Sequence, residues 1–124
     1  MAKILVAEDE ADIAVILREV LEMAGHHVTL ATDGAMALEL LESGPLPDII
    51  LTDLKMPRMS GRCLVEALRS NSRTAALPAI LITGAIPNAD DFPPDGSYDY
   101  LIEKPFDIWD VVDTVDLLIG RRRL

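Results

Sequence analysis

The stretch DIILTDLKMPRMSG, residues 48–61, decides the fold of this chain. Its residues 49–51 form an apolar run without polar alternation, which is typical of a strand buried on both faces of a parallel sheet. Asp53 follows at the carboxyl end of this predicted strand, at the edge where open α/β sheets bind their ligands. Pro57 and Gly61 predict a stiff turn that leads into the next helix. We therefore expect the rest of the chain to be arranged around Asp53.

Length, composition and charge bound the class of protein. The chain has 124 residues, which suits one domain with its own core, so we predict a single domain over residues 1–124. Half of the residues are hydrophobic and 4% are aromatic, which favours an aliphatic α/β interior. The formal net charge of −10 argues against binding to nucleic acid or to an anionic membrane, because phosphate groups are bound by basic patches.

Cysteine usage and hydropathy predict a cytoplasmic protein. Cys63 is the only cysteine, so an intrachain disulfide is excluded and a reducing compartment is the expectation. The apolar run before Glu8 is too short for the core of a signal peptide. No apolar run approaches the roughly 18 residues of a membrane span.

Short apolar runs alternate along the chain with amphipathic stripes. The apolar runs predict five strands, at residues 4–7, 26–31, 48–53, 79–83 and 98–102. The stripes predict four helices: one over 13–24 that stops at Gly25, one from the cap Asp33 through Leu41, one over 60–68, and one from the cap Asp107 to Gly120. This alternation indicates βαβ units and a doubly wound parallel sheet with helices on both faces.

The interval between the fourth and fifth predicted strands breaks the alternation. Three prolines and three aspartates lie between Gly84 and Ser97. A proline inside a helix costs about 3 kcal/mol, so a regular helix cannot cross this interval. We predict a mobile acidic loop with at most one helical turn, which makes the fourth helix of the alternation short or absent.

Polar side chains follow four of the five predicted strands. Glu8 and Asp9 follow the first strand, Asp53 the third, Thr83 the fourth and Lys104 the fifth. Because carboxyl ends of parallel strands meet at one edge, three carboxylates should converge there. Like charges about 4 Å apart repel by roughly 4 kcal/mol at an effective dielectric of about 20, so a cation is needed. Oxygen ligands suit Mg²⁺, and the lysine and threonine would face an incoming anion, which predicts a phosphoryl site.

The chain resembles the receiver domain of two-component response regulators, because it carries Glu8-Asp9 after the first strand, Asp53 with Pro57 and Gly61, Thr83 after the fourth strand and Lys104-Pro105-Phe106 after the fifth. The resemblance covers essentially the whole chain. It implies a flavodoxin-like sheet of five parallel strands in the order 2-1-3-4-5. It also implies that Asp53 accepts a phosphoryl group from a histidine kinase or a histidine phosphotransfer protein.

The resemblance implies a metal site and a limited chemistry. Mg²⁺ would be bound by Asp9, Asp53 and the main-chain carbonyl of Lys55, with Glu8 acting on the metal partly through water. The domain would catalyse its own phosphorylation and dephosphorylation, as a signalling domain rather than an enzyme with other substrates.

The resemblance also assigns the residues around the phosphoryl group. Thr83 and Lys104 would hold its oxygens, and the Lys104-Pro105 bond would be cis. The small Gly84 beside Thr83 should leave the phosphoryl group accessible to water.

Two features concern signalling to a partner. Many receivers carry an aromatic residue three positions before the lysine, but here Leu101 occupies that position and Tyr100 precedes it, so the usual aromatic switch is in doubt. We hypothesise instead an order–disorder change between Ile86 and Ser97. Trp109 falls off the buried stripe of the last helix and is either a partner or dimer anchor or a residue that packs beneath the loop between Gly84 and Ser97.

The sequence favours a stand-alone receiver that works by protein contacts, with an unidentified downstream partner and a homodimer through the last strand and helix as a further hypothesis. The main alternative is a receiver-like interaction module that is not phosphorylated. A phosphohydrolase of the haloacid-dehalogenase type is disfavoured, because its second carboxylate position is occupied by Lys55. Flavin binding is disfavoured because the acids at residues 8–10 would repel the cofactor's phosphate.

Overall fold

A computed structural model of the chain describes residues 2–84 and 92–123. Strands and helices alternate over these residues until β4, after which β5 follows. The elements are β1 Lys3–Ala7, α1 Ala11–Met23, β2 His27–Ala31, α2 Gly34–Ser43, β3 Ile49–Asp53, α3 Gly61–Ser70, β4 Ala79–Thr83, β5 Tyr100–Glu103 and α4 Ile108–Arg123. In the part of the chain that the structure describes, no helix has both the length and the hydropathy that a membrane crossing requires.

The five strands form one parallel sheet in the order β2-β1-β3-β4-β5, which confirms the predicted topology. Every residue of β3 and of β4 is buried, as their continuous apolar runs predict. The strand order places β3 between β1 and β4. The carboxyl ends of these three strands are therefore neighbours at one edge of the sheet, next to the point where the strand order reverses.

Alternate residues of the strands supply two separate cores. Ile49 and Leu51 of β3 lie in the core beneath α1 and α4, whereas Ile50 lies in the opposite core with α2 and α3. This follows from the strand period of two, which sends successive side chains to opposite faces. The helices thus cover both faces, as predicted.

Capping side chains fix the starts of three helices. Asp33 accepts the main-chain N–H of Met36 at 2.8 Å, and Asp107 accepts that of Trp109 at 2.9 Å, so both predicted caps are confirmed. Ser60 caps α3 by accepting the N–H of Cys63 at 3.2 Å.

Several predicted boundaries differ from the structure, among them the end of the last helix and the start of the fifth strand. Helix α4 continues through Gly120 to Arg123, because a glycine inside a helix costs only about 1 kcal/mol and does not end it. Strand β5 begins at Tyr100 rather than at Tyr98, and just before it the side-chain carboxylate of Asp99 accepts the main-chain N–H of Ala79 at 2.8 Å.

The crossover between β4 and β5 has no helix among its described residues. Residues 92–99 form turns and bends, which agrees with the prediction of an irregular segment. Residues 85–91 lie outside the described part of the chain. The predicted mobility of this loop, and the order–disorder hypothesis for Ile86 to Ser97, therefore stay predictions.

Candidate functional site

Three carboxylates surround one ammonium group at the carboxyl edge of the sheet. Lys104 Nζ donates a hydrogen bond to Asp53 Oδ2 at 2.8 Å, and it lies 3.0 Å from Glu8 Oε1 and 3.5 Å from Glu10 Oε1. The Asp53 and Glu8 side chains are only 8% and 1% exposed, whereas that of Glu10 is 62% exposed. The structure therefore brings together Glu8, Asp53 and Lys104 from the predicted site and adds Glu10.

Glu8 is the most constrained member of this group. Burial, reinforced by the negative charge of Asp53, raises the pKa of the Glu8 carboxyl to about 7. Two contacts act in the opposite direction and lower this pKa: the main-chain N–H of Glu10, which donates to Oε2 at 3.1 Å, and the positive charge of Lys104. The other Glu8 oxygen, Oε1, is buried and lies 3.0 Å from Lys104 Nζ without meeting the geometry of a hydrogen bond. A buried carboxylate oxygen in this state is short of a hydrogen-bond donor or cationic partner.

Lys104 holds the site together electrostatically. Burial lowers the pKa of its ammonium group, but the contacts with Asp53 and Glu8 outweigh burial and raise that pKa above its ordinary value. The ammonium group therefore stays protonated at neutral pH. One positive charge still faces three carboxylates, so the group is short of positive charge when all three are ionised.

The donor set fits a divalent cation. One carboxylate oxygen each from Glu8, Glu10 and Asp53 lies within 4.8 Å of the others. Hard oxygen donors with an open side toward solvent are what Mg²⁺ requires, since it keeps several of its waters. The group of oxygens and the orphaned oxygen of Glu8 both fit such an ion.

The predicted ligands Asp9 and Lys55 are placed differently. The Asp9 side chain is exposed and is not one of the three acids that share the group. Lys55 donates its main-chain N–H to Asp53 Oδ1 over a long 3.4 Å. Their roles as metal ligands stay predictions.

Glu10 was missed as a site residue, although it was visible in the sequence. Its backbone is extended, with φ −83° and ψ 108°. Its position two residues after Glu8, the spacing at which side chains return to the same side of an extended chain, was the signal that could have identified it.

Thr83 and Gly84 lie beside the lysine. Thr83 is buried at the end of β4, and its carbonyl accepts the main-chain N–H of Lys104 at 2.7 Å. A side chain on Gly84 would place its first carbon 3.1 Å from Cδ of Lys104. A glycine there leaves space along the lysine stem. The bond between Lys104 and Pro105 is cis.

The turn after β3 is held closely against Asp53. The N–H of Gly61 donates to the carbonyl of Leu54 at 2.9 Å, and a side chain on Gly61 would come within 2.1 Å of the carbonyl oxygen of Asp53. Only glycine fits this approach. Pro57 forms the turn, with its carbonyl accepting the N–H of Met59 at 2.7 Å.

The residues predicted to report or recognise a partner lie on β5 and α4. Tyr100 and Trp109 are exposed, and Trp109 lies off the buried stripe of α4, while Leu101 is half-buried against the core beside α3. A cleft beside Tyr100 is lined by acids and apolar side chains of α4, among them Asp110 and Leu117. The role of this surface in recognition stays a prediction.

Comparisons with known proteins show what this chain is similar to. A family model described as the response regulator receiver domain matches residues 4–116. The response regulator receiver protein CpdR of Brucella abortus is 36% identical over 123 residues, which cover 96% of this chain and 98% of CpdR. The transcriptional regulatory protein CpxR of Escherichia coli is 34% identical over 98% of this chain and 50% of CpxR. The chain thus spans half the length of CpxR and nearly all of CpdR.

Solved structures show the same fold. The receiver domain of the Francisella response regulator 1452 superimposes with a TM-score of 0.85 at 27% identity, over 98% of this chain and 99% of the other. A CheY-like receiver domain protein from Methanospirillum hungatei gives a TM-score of 0.89 over 99% of this chain and 97% of the other. At 22% identity the second likeness concerns the fold alone.

Proposed function

Since this chain belongs to the response regulator receiver family of two-component systems, we propose that Asp53 accepts a phosphoryl group from a phosphohistidine donor in a Mg²⁺-dependent reaction. The observation that carries the proposal is the placement of Asp53 Oδ2 at 2.8 Å from Lys104 Nζ, inside a group of three carboxylates that this one ammonium does not fully neutralise. The donor is a histidine kinase or a histidine phosphotransfer protein, and the reaction takes place in the cytoplasm.

In the transfer step, a carboxylate oxygen of Asp53 attacks the phosphorus in line. The new bond joins that oxygen to phosphorus, the bond between phosphorus and the donor imidazole nitrogen breaks, and the electron pair leaves with the nitrogen. Phosphoryl transfer depends mainly on positioning and on neutralising the charge of the equatorial oxygens. Lys104 already donates to Asp53 and would supply one positive charge to those oxygens, and the Thr83 hydroxyl would be a second donor.

The carboxylates of Glu8, Glu10 and Asp53 would hold Mg²⁺, with Asp9 and the Lys55 carbonyl as the further predicted ligands. When bound, the ion neutralises charge on the phosphoryl oxygens. Water then hydrolyses the acyl phosphate by attack on phosphorus, the bond to the Asp53 oxygen breaks, and the carboxylate is restored. The small Gly84, where a side chain would crowd the Lys104 stem, would leave the phosphoryl group accessible to that water.

Phosphorylation adds charge and acceptor oxygens at the end of β3. Lys104 and Thr83 are the groups placed to respond, and both adjoin segments that lead away from the site. A change at Thr83 passes directly into Gly84 and the crossover that follows. The output is a changed contact with a protein partner, for which the exposed Trp109 and Tyr100 are the candidate surface.

The test is the intact mass of the protein after incubation with acetyl phosphate or phosphoramidate and Mg²⁺. We expect a labile gain of one phosphoryl group in the wild type, and none in Asp53→Asn or in wild type with EDTA. A folded, Mg²⁺-binding wild type without the gain would favour an interaction module that is not phosphorylated. Turnover of added phosphate esters would point instead to a hydrolase.

A further inference from the structure

We infer that an ion pair between Arg58 and Asp33, called here the brace, positions residues 54–60 for cation binding and phosphoryl transfer at Asp53. Arg58 donates from Nε to Asp33 Oδ2 at 2.8 Å and from Nη2 to Asp33 Oδ1 at 3.2 Å. Two parallel hydrogen bonds between a guanidinium and a carboxylate fix orientation as well as distance. The chemical consequence of the brace rests on the function proposed above.

One partner of the brace is immobile. The Asp33 side chain is 7% exposed, and its Oδ1 also caps α2 through the N–H of Met36. Arg58 is 60% exposed and would have many conformations without this partner. The pair therefore attaches an exposed turn to a fixed point at the start of α2.

The main chain at the brace is in a conformation that needs support. Arg58 has φ 64°, the one positive value among the non-glycine residues that the structure describes. Side chains other than glycine, asparagine and aspartate adopt this region rarely. The carbonyl of Met59 accepts the N–H of Gly34 at 3.1 Å, and a side chain on Gly34 would come within 2.5 Å of that oxygen. The two loops are thus in direct contact beside the brace.

The braced segment runs directly from the phosphoacceptor. It begins next to Asp53, includes Lys55 with its long 3.4 Å contact to Asp53 Oδ1, and ends where Gly61 bonds back to Leu54. Its two ends are held by the sheet and by α3, and the brace holds its middle. Arg58 does not touch Asp53, so it acts on the reaction as a positioning residue, through the placement of the Lys55 main chain.

Two variants break the ion pair of the brace with little other damage. Asp33→Asn removes the charge but keeps a residue that caps helices as well as aspartate does. Arg58→Asn removes the guanidinium but keeps a residue that tolerates positive φ. The matched control is Arg62→Ala, because Arg62 pairs with Glu66 at 3.0 Å on the exposed face of α3. Arg58→Lys retains the charge without the two-pronged geometry.

The readouts are the Mg²⁺ dissociation constant by calorimetry, amide hydrogen exchange of residues 54–60, the rate of Asp53 phosphorylation and the thermal midpoint. We expect both brace variants to bind Mg²⁺ about tenfold more weakly and Arg58→Lys to fall between them and the wild type. Exchange in residues 54–60 should be faster in the brace variants, and Arg62→Ala should match the wild type.

Unchanged Mg²⁺ affinity in the brace variants would overturn the inference, whether or not their thermal midpoints fall, because a lower midpoint alone shows a purely structural pair. A wild type that binds Mg²⁺ but is not phosphorylated would refute the proposed function. The affinity and exchange comparisons would still decide whether the brace positions residues 54–60. A wild type that binds no Mg²⁺ would refute both.

Discussion

Lys104 and Arg69 are both mostly buried cations, but they meet different partners. Lys104 lies among three carboxylates at the carboxyl edge of the sheet. Arg69, in the last turn of α3, donates mainly to neutral main-chain carbonyls at the opposite end of β4, including those of Leu77 and Ser97, both at 2.7 Å. Burial lowers the pKa of Arg69, and the nearby charge of Asp99 opposes that shift.

The difference shows which end of the domain is complete without a ligand. The guanidinium of Arg69 donates to main-chain carbonyls of the loop after α3 and of the segment between β4 and β5. These paired groups support a fixed structure. The Lys104 group leaves a buried Glu8 oxygen without a hydrogen bond and has fewer positive than negative charges. We infer that the first end is rigid and that the second changes when a cation or a phosphoryl group arrives.

Replacing Lys104 gives the largest expected effect. Lys104→Met leaves Asp53 and Glu8 buried without their cation, and breaking a buried ion pair costs about 3 kcal/mol. Added Mg²⁺ should recover much of that loss, and its affinity should rise, because the competing ammonium is gone. Urea unfolding with and without Mg²⁺ measures this recovery. A loss that is the same in both conditions would contradict the view that the lysine stands where a cation is needed.

Replacing Arg69 should cost about 2 kcal/mol, because several carbonyls lose their donor. For Arg69→Met, which keeps most of the stem, we expect the loss to be equal with and without Mg²⁺. The same unfolding experiment checks it against the Lys104 variant. Strong rescue of Arg69→Met by Mg²⁺ would remove the contrast between the two ends.

The acids after β1 provide a finer comparison. Glu10→Gln should weaken Mg²⁺ binding by about 1 kcal/mol, the range measured for partly exposed charges. Asp9→Asn is the matched variant, since that acid was predicted as a ligand but lies outside the group of three. Calorimetric titration of both variants decides which acid serves the ion. A loss confined to Asp9→Asn would restore the prediction made from the sequence.

The pH dependence of the brace is the smallest expected effect. The hydrogen bond from Arg58 and the N–H of Met36 lower the pKa of Asp33 below its ordinary value. The folded protein then holds this proton less tightly than the unfolded chain, so the pair stabilises the fold above the ordinary aspartate pKa of about 3.9. That contribution is lost as pH falls through the lower, folded-state pKa.

The measurement is the difference in free energy of unfolding between wild type and Asp33→Asn, followed from neutral pH to about pH 3. We expect the difference to shrink toward the acid end. A difference that stays constant, or that grows on acidification, would show that the ion pair does not stabilise the fold.

Much of the fold followed from local patterns in the sequence. The buried runs of β3 and β4 identified a parallel sheet, and Asp33 and Asp107 marked two helix starts. The convergence of Glu8, Asp53 and Lys104 followed from a rule about strand ends, which needs only the order of the elements.

Other features depend on contacts that no local pattern records. Arg58 and Asp33 are 25 residues apart in two separate loops, and Arg69 reaches Ser97 across 28 positions. Neither pairing has a periodic signal in the sequence. The inclusion of Glu10 depended instead on the side that each acid faces after β1 ends, which the strand-end rule does not specify.

The most direct test of the central claim is to map the phosphorylated residue by mass spectrometry after incubation with acetyl phosphate, with and without Mg²⁺. The claim is that Asp53 is a phosphoacceptor in a site where one ammonium group faces three carboxylates. It predicts that the phosphoryl group is found on the peptide that contains Asp53, and only when Mg²⁺ is present. Modification at another residue, or equal modification of Asp53 without the metal, would contradict it.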